Sequence, residues 1–126
     1  MQMSIGTWNL DRSGVRNTSR WNTQRHEIAR RECDLWVLTE AHHDQAVPDR
    51  AYALFSSPGT GIYQSKECAV AIWSRWPLRS LAVADPRLSV CAAVDIPDRD
   101  SKIILYGIVV PYASDGVAAG EAKPWQ

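Results

Sequence analysis

A carboxylate that follows a short apolar segment is the first candidate for chemistry in this chain. Residues 35–38 (Leu-Trp-Val-Leu) are apolar, and Thr39 and Glu40 come directly after them. An apolar run this short is typical of a strand buried on both faces. A glutamate at the end of such a strand can be held rigidly by the protein and still meet a cation and a substrate. The alternative is that Glu40 is simply the first solvated residue after the strand, because acidic residues are mostly exposed.

Basic residues mark a second candidate region, between residues 11 and 20. Arg12, Arg16 and Arg20 make this segment locally basic, and its serine, glycine and asparagine content is typical of a loop. Arginine forms bidentate hydrogen bonds with phosphate oxygens, so Arg12 and Arg16 are candidates for phosphate contact. A solvated surface loop is the alternative.

A small zinc site is a third possibility, built from Glu40, His42, His43 and Asp44. Zinc does take histidine and carboxylate ligands. Adjacent histidines point to opposite sides of an extended chain, however, so His42 and His43 are poor partners for one ion. We rank this hypothesis below the first.

The elements that would position these residues follow from the hydrophobic pattern. Trp21, Ile28 and Ala29 fall on one face of a helix predicted over residues 20–32, with Thr18 or Ser19 as its cap. Further strands are predicted at residues 5–10, 52–55, 68–73, 88–96 and 102–110. The last is the longest apolar run and is predicted to be central. Turns are predicted at residues 74–78, around Pro77, and at 97–101.

Length and composition are those of one globular domain. The chain has 126 residues, of which 45% are hydrophobic and 22% charged, and this argues against disorder. The formal net charge is +0, so no overall basic field attracts nucleic acid, and any such contact would be local. Three widely spaced cysteines without a CxxC pair indicate buried thiols in a reducing compartment. With neither a signal peptide nor a membrane-spanning segment, we expect a cytoplasmic protein.

The predicted layout contains too few helices for its strands. One helix can cover only part of one sheet face, and apolar strands do not tolerate a fully exposed face. We therefore expect a missing C-terminal half, or a second chain, to cover the rest of the sheet.

The order of these segments resembles the endonuclease/exonuclease/phosphatase superfamily. The resemblance lies in Trp8-Asn9 at the end of the first strand, the arginine-rich helix with Ile28, and the strand segments DLWVLTE, CAVAIWSR and KIILYGIVVPY. It covers nearly all of residues 5–112. It implies an α+β, DNase I-like β-sandwich with flanking helices. Only the first half of that fold is expected within residues 1–126, as one helix and about five to six strands.

The resemblance also implies roles for three residues. Asn9 would help to position the metal and the attacked phosphate, and Glu40 would bind Mg²⁺ or Mn²⁺. Tyr112 lies where some members place a tyrosine near the phosphate. The alternatives are a strand-end turn for Asn9 and a packing role for Tyr112. The resemblance implies the N-terminal half of a Mg²⁺-dependent phosphodiesterase or nuclease, which hydrolyses a phosphodiester or phosphomonoester by attack of metal-activated water, with nucleic acid among the candidate substrates.

Two parts of the family's catalytic apparatus are missing from the sequence. All three histidines lie within the first 43 residues, and no Asp-x-Asn sequence occurs. Without a late aspartate–histidine pair to accept the proton of the attacking water, we expect this chain alone to be inactive. The competing hypothesis is a non-catalytic interaction module, since six tryptophans in 126 residues suit a binding surface.

Overall fold

The computed structural model describes residues 2–13, 17–58, 66–100 and 102–110. These residues form one helix, α1 (Thr18–Arg31), and seven strands. The strands are β1 (Ile5–Asn9), β2 (Leu35–His42), β3 (Tyr52–Phe55), β4 (Glu67–Ser74), β5 (Leu78–Leu81), β6 (Ser89–Val94) and β7 (Ile103–Ile108). No helix in the described ranges is long and apolar enough to cross a membrane.

The first sheet has the strand order β1-β2-β4-β3. β1 pairs with β2 in parallel, whereas β4 runs antiparallel to both of its neighbours. The two central strands, β2 and β4, are almost entirely buried. The apolar run at residues 35–38 is therefore a doubly buried strand, as its sequence predicts.

Helix α1 covers one face of this sheet. Ile28 is buried and Trp21 partly buried against the core formed with Trp36 and Leu38 of β2. The helix begins two residues earlier than predicted, because Asn17 caps it by accepting a hydrogen bond from the Arg20 amide at 2.9 Å. The prediction for Ala29 is wrong, since that residue is exposed.

The second sheet, in the order β5-β6-β7, packs against the other face of the first. Val37 and Val70 of the first sheet meet Val90 and Leu105 of the second in one core cluster. A Cβ added at Gly107 would lie 2.6 Å from Cγ1 of Val70, so only glycine allows the two sheets this close an approach. Two packed sheets with a helix outside confirm the predicted α+β sandwich.

The second sheet departs from the prediction in two ways. β5 was not predicted, so the described residues contain seven strands rather than five to six. The sequence predicts a central strand at residues 102–110, yet β7 lies at an edge of the described sheet. Its outward side chains, Ile104 (65% exposed), Tyr106 (51%) and Ile108 (50%), are open to solvent. The hydrophobicity of this segment therefore did not predict its position in the sheet.

Candidate active site

The parallel pairing of β1 and β2 brings the two principal candidates together. Asn9 lies opposite Thr39 in the register, and the Leu10 amide donates to the Thr39 carbonyl at 2.9 Å. Glu40 is thus one residue beyond the partner of Asn9. Because parallel strands end at the same edge of a sheet, residues far apart in the sequence become neighbours there.

Asn9 forms a turn and also offers a hydrogen-bond donor. Its Oδ1 accepts a hydrogen bond from the Asp11 amide at 2.8 Å. Since a backbone N–H must donate to an oxygen, this bond fixes which way the amide is oriented. The side chain is exposed, so its NH₂ group is available to an acceptor such as a phosphate oxygen. The predicted turn and the predicted phosphate contact are therefore compatible.

Glu40 interrupts β2 instead of ending it. The strand continues to His42, but Glu40 has a left-handed φ of 49° and is missing from the ladder between the Thr39↔Val70 and Ala41↔Cys68 pairs. Its carbonyl accepts a hydrogen bond from the Arg12 amide at 3.0 Å. The side chain is half-buried, and its carboxylate has no hydrogen bond or ion pair with the residues that the structure describes.

The loop after β1 is held in an unusual backbone conformation. Asp11 and Arg12 have φ values of 52° and 56°, a region that residues with a Cβ seldom adopt. Arg20 stabilises this loop from α1 by pairing with the Asp11 carboxylate at 2.7 Å. Glu40 also has a left-handed φ, and the hydrogen bond from the Arg12 amide to the Glu40 carbonyl joins it to this loop. Asp11 and Arg12 lie in a turn, where this conformation is ordinary, whereas Glu40 lies within β2.

Arg12 also makes a buried ion pair that the sequence did not predict. Its Nε lies 3.2 Å from Oε2 of Glu67, the first residue of β4. Glu67 is 1% exposed, whereas the Arg12 side chain is 18% exposed and reaches the surface. One signal in the sequence could have identified Glu67: an acidic residue directly before the apolar run at 68–73.

A buried polar network supports this loop from below. Ser13 donates to Oε1 of Gln24 at 2.5 Å, and Gln24 donates to the Leu10 carbonyl at 3.2 Å. Gln45 donates to the Ser13 hydroxyl, also at 3.2 Å, and accepts from the His42 amide at 2.8 Å. Buried amide and hydroxyl groups are costly unless paired, so this network fixes the loop to both α1 and β2.

Comparison with known proteins gives the family. The model of the endonuclease/exonuclease/phosphatase family matches residues 6–123. The chain belongs to this family. No curated relative matches it significantly.

The carboxylates near the candidate site bear on which kind of metal it could hold. Mg²⁺ in proteins binds through one or two carboxylates and retains several waters. The half-buried Glu40 carboxylate, which has no partner among the described residues, would suit that requirement. The described residues contain no group of three histidine, cysteine, aspartate or glutamate side chains that could hold a metal without such waters.

The zinc hypothesis is wrong for the same reason. His42 is buried, and its Nδ1 accepts a hydrogen bond from the Asp44 amide at 3.1 Å. His43 stacks on Phe55 with ring centroids 4.6 Å apart. These side chains and Glu40 form no common metal site.

Two of the predicted site residues cannot be located. Arg16 and Tyr112 lie outside the described residues. Asn9, Glu40 and Arg12 are the candidate residues that the structure describes, and Glu67 joins them through its ion pair with Arg12.

Proposed function

We propose that this chain binds a divalent cation and a phosphate ester at the edge formed by β1 and β2. The cation is Mg²⁺ or Mn²⁺, and the ester is a phosphodiester or phosphomonoester, nucleic acid included. One observation carries the proposal: Glu40, whose carboxylate has no partner within the part of the chain that the structure describes, lies one residue beyond the register partner of Asn9. Family membership supplies the chemistry that this arrangement would serve.

Each described residue has a role in this proposal. Glu40 holds the cation, which as a Lewis acid would stabilise negative charge on the phosphoryl oxygens. Asn9 donates its NH₂ group to a phosphate oxygen, because its Oδ1 is already engaged by Asp11. Arg12 contributes a positive charge beside the same edge.

Hydrolysis also requires a base to accept the proton of the attacking water. His26 Nδ1 is 2.7 Å from the Asn22 carbonyl on α1, and His42 Nδ1 accepts from the Asp44 amide. The His43 ring is stacked on Phe55, and its Nε2 is buried away from solvent. The sequence has no histidine after His43 and no Asp-x-Asn. We therefore expect the 126-residue chain to bind metal and phosphate without hydrolysing the ester.

Metal binding can be tested by nuclear magnetic resonance with Mn²⁺ as a paramagnetic probe. Mn²⁺ should broaden the backbone amide signals of Asn9, Glu40 and Arg12 before others, and excess Mg²⁺ should restore them. Glu40→Gln should abolish the broadening. Glu32→Gln, the same change at an exposed position at the end of α1, is the control and should leave it intact. Broadening that is unchanged in Glu40→Gln would refute the site.

Turnover is tested with bis(p-nitrophenyl) phosphate and Mg²⁺ or Mn²⁺. We expect no hydrolysis above that of a matched EDTA control. EDTA-sensitive hydrolysis that Glu40→Ala abolishes would establish the phosphoesterase and show that the missing base is not essential.

A second candidate function is supported by the outer face of β7. Ile104, Tyr106 and Ile108 alternate along β7, Val110 follows the strand, and each of the four is at least half exposed. Apolar stripes of this kind mark interaction surfaces. A second chain covering this face would give the interaction module that the tryptophan content also suits. Light scattering would then show a mass that rises with concentration, and Ile108→Lys should abolish the rise while Ser80→Lys, an exposed position on β5, should not.

We also propose a cytoplasmic location, on the basis of the cysteines. Cys33, Cys68 and Cys91 are all free thiols. Thiols persist in reducing compartments. If the thiols are alkylated in intact cells before lysis, all three cysteines should carry the alkyl group. A disulfide among them would contradict this location.

A further inference from the structure

The outer edge of β1 carries backbone groups that the sheet does not use. In the parallel pairing with β2, the Ser4 carbonyl and the Leu10 amide both form hydrogen bonds with β2. Because the backbone groups of successive residues in a strand point to opposite sides, those of Ile5 and Thr7 are directed away from β2. β1 is the end strand of its sheet, so these groups have no partner among the residues that the structure describes.

This edge also lacks the features that usually prevent the addition of another strand. Its sequence, Ile-Gly-Thr-Trp-Asn, contains no proline and no charged side chain, and its five residues pair with β2 without a bulge. Proline, charge and bulges are the usual means by which exposed strand edges avoid pairing with another chain. The backbone of β1 is therefore able to accept a further strand.

A groove of about 520 Å³ lies between β1 and α1. The sheet contributes Trp8 and Trp36 to its lining, and α1 contributes Glu27 and Arg31. Gly6 is the register partner of Trp36 and lies two residues before Trp8, on the same face of β1. Because glycine has no side chain, an apolar group placed opposite Gly6 on an added strand can reach both indoles, which offer large apolar surfaces.

Arg31 brings a partly used cation to this groove. Its Nε donates to Oε1 of Glu27 at 2.8 Å, and its side chain is 60% exposed. The terminal nitrogens of its guanidinium have no partner within the described part of the chain. Glu27 also pairs with Arg30, so the three side chains together carry a net positive charge. A carboxylate on the added strand would complement that charge.

The charge of α1 also determines which kind of strand fits. α1 contains four arginines and one glutamate. Two copies of this chain joined through β1 by a two-fold axis would bring two such helices onto the same face of one continuous sheet, where their like charges repel. An acidic segment would be attracted instead. The edge of β1 therefore suits an acidic partner better than a second copy.

We propose that the outer edge of β1 binds an extended segment of another polypeptide, which adds to the sheet as an antiparallel strand. An apolar side chain of this segment lies opposite Gly6 and contacts the two indoles, and an acidic side chain two residues later reaches Arg31. Hydrogen bonds with the backbone of Ile5 and Thr7 supply the affinity, and the two side chains supply the specificity. This interaction is independent of the function proposed above.

The order of the two side chains follows from the position of Arg31. α1 ends at Arg31, and β2, which runs parallel to β1, begins soon afterwards at Leu35, so Arg31 lies near the start of β1. An antiparallel segment runs towards the start of β1 and meets Arg31 after Gly6. Antiparallel pairing is also slightly more stable than parallel pairing.

The test is a titration of the 126-residue chain, without metal, with the capped peptide Thr-Thr-Phe-Thr-Glu-Thr, followed by nuclear magnetic resonance. The peptide should shift the amide signals of Ile5 and Thr7 and slow their exchange with solvent. N-methylation of the threonine before phenylalanine should weaken binding by roughly tenfold, because that amide donates to the Thr7 carbonyl. N-methylation of the phenylalanine, whose amide faces away from β1, is the control and should have a much smaller effect.

Two arginine variants test the charge. Arg31→Gln should weaken peptide binding by about two- to fivefold, since an exposed ion pair contributes little. Arg30→Gln also removes an arginine paired with Glu27, but it lies outside the groove, so it is the control and should bind like the wild type. A peptide with lysine in place of glutamate should bind the wild type more weakly, and Arg31→Gln should reduce this difference.

Four results would overturn the proposal. Equal binding by the two N-methylated peptides would exclude strand pairing, and equal losses in Arg31→Gln and Arg30→Gln would exclude recognition of an acid by Arg31. Ile5 and Thr7 signals that change with protein concentration alone would show that a second copy occupies the edge. Signals that the peptide does not move at millimolar concentration would exclude the site. Metal binding at Glu40 is measured separately by Mn²⁺ broadening, so it stands or falls independently.

Discussion

Gly6→Ala should destabilise the protein, although alanine normally suits a strand better than glycine. A Cβ added at Gly6 would lie 2.6 Å, 2.7 Å and 2.8 Å from three carbons of the Trp36 indole. Non-bonded carbons prefer separations of about 3.5–4.0 Å. The indole cannot easily move away, because Trp36 is 5% exposed and packs in the core with Ile28 and Leu38. The added Cβ would therefore clash with an indole ring that is held in place by its packing.

The expected magnitude is the difference between two effects. Overpacking a well-packed core costs about 1–3 kcal/mol. Replacing glycine by alanine in a permitted backbone conformation stabilises by about 0.4–1 kcal/mol, since the unfolded chain loses entropy. The net change in the free energy of unfolding should be a loss of about 1–2 kcal/mol. For a domain of this size that corresponds to a decrease in Tm of about 4–8 °C.

The assay is urea unfolding in two backgrounds, wild type and Trp36→Leu. The large-to-small change at Trp36 is destabilising in itself, but it removes the ring that Gly6→Ala would meet. Gly6→Ala should therefore be neutral or slightly stabilising in the Trp36→Leu background. Equal destabilisation in both backgrounds, or none in the wild type, would refute the packing argument. A shift of the Asn9 amide signal in Gly6→Ala alone would show that β1 transmits the clash to the site.

Three further predictions concern charge, thiol reactivity and the buried network. Hydrogen bonding from Arg30 lowers the pKa of Glu27 to about 2 from 4.5. This carboxylate therefore stabilises the fold above pH 4.5, and that contribution is lost as the pH falls towards 2. Acid titration of Glu27→Gln should show a smaller loss of stability over this range than acid titration of the wild type. Burial raises the pKa of the Cys68 thiol to about 12, so it should resist a thiol reagent at pH 8 until the protein unfolds, and rapid labelling of the native protein would contradict its burial. Gln24→Ala should lower the free energy of unfolding by about 1–3 kcal/mol, because the buried Ser13 hydroxyl loses its acceptor, whereas a cost below 0.5 kcal/mol in urea unfolding would show that the network is dispensable.

Much of the fold could be predicted because hydrophobic pattern determines which strands are buried. The run at residues 35–38 is apolar at every position, and it forms a strand with protein on both faces. The same reasoning failed for β7, whose residues are equally apolar but which lies at an edge of the described sheet. The hydrophobic pattern indicates that one face of the strand is suited to burial. It does not indicate which part of the chain, or which partner, buries that face.

The site was only partly predictable, because backbone conformation is weakly encoded at single residues. The adjacency of Asn9 and Glu40 follows once β1 and β2 are parallel, and the resemblance supplied both residues. The left-handed φ at Glu40 carries no local signal, since glutamate has no preference for that region. The Arg12–Glu67 pair joins residues 55 positions apart, and only the tertiary fold brings them together.

The positions of the residues with a left-handed φ support a functional role for the sheet edge formed by β1 and β2. Among the described residues, Glu32 adopts a left-handed φ at the end of a helix, and Asp49, Lys66 and Asp98 do so in turns, where this conformation is ordinary. Glu40 is different, because it lies within a strand. In a regular strand its side chain would alternate onto the same face as Leu38 and His42, both of which are buried. Leaving the ladder keeps the carboxylate half-exposed instead, and the Arg12 amide satisfies the carbonyl that the ladder would otherwise have paired. A solvated glutamate would not require this arrangement, whereas a carboxylate that must meet both a cation and a substrate would.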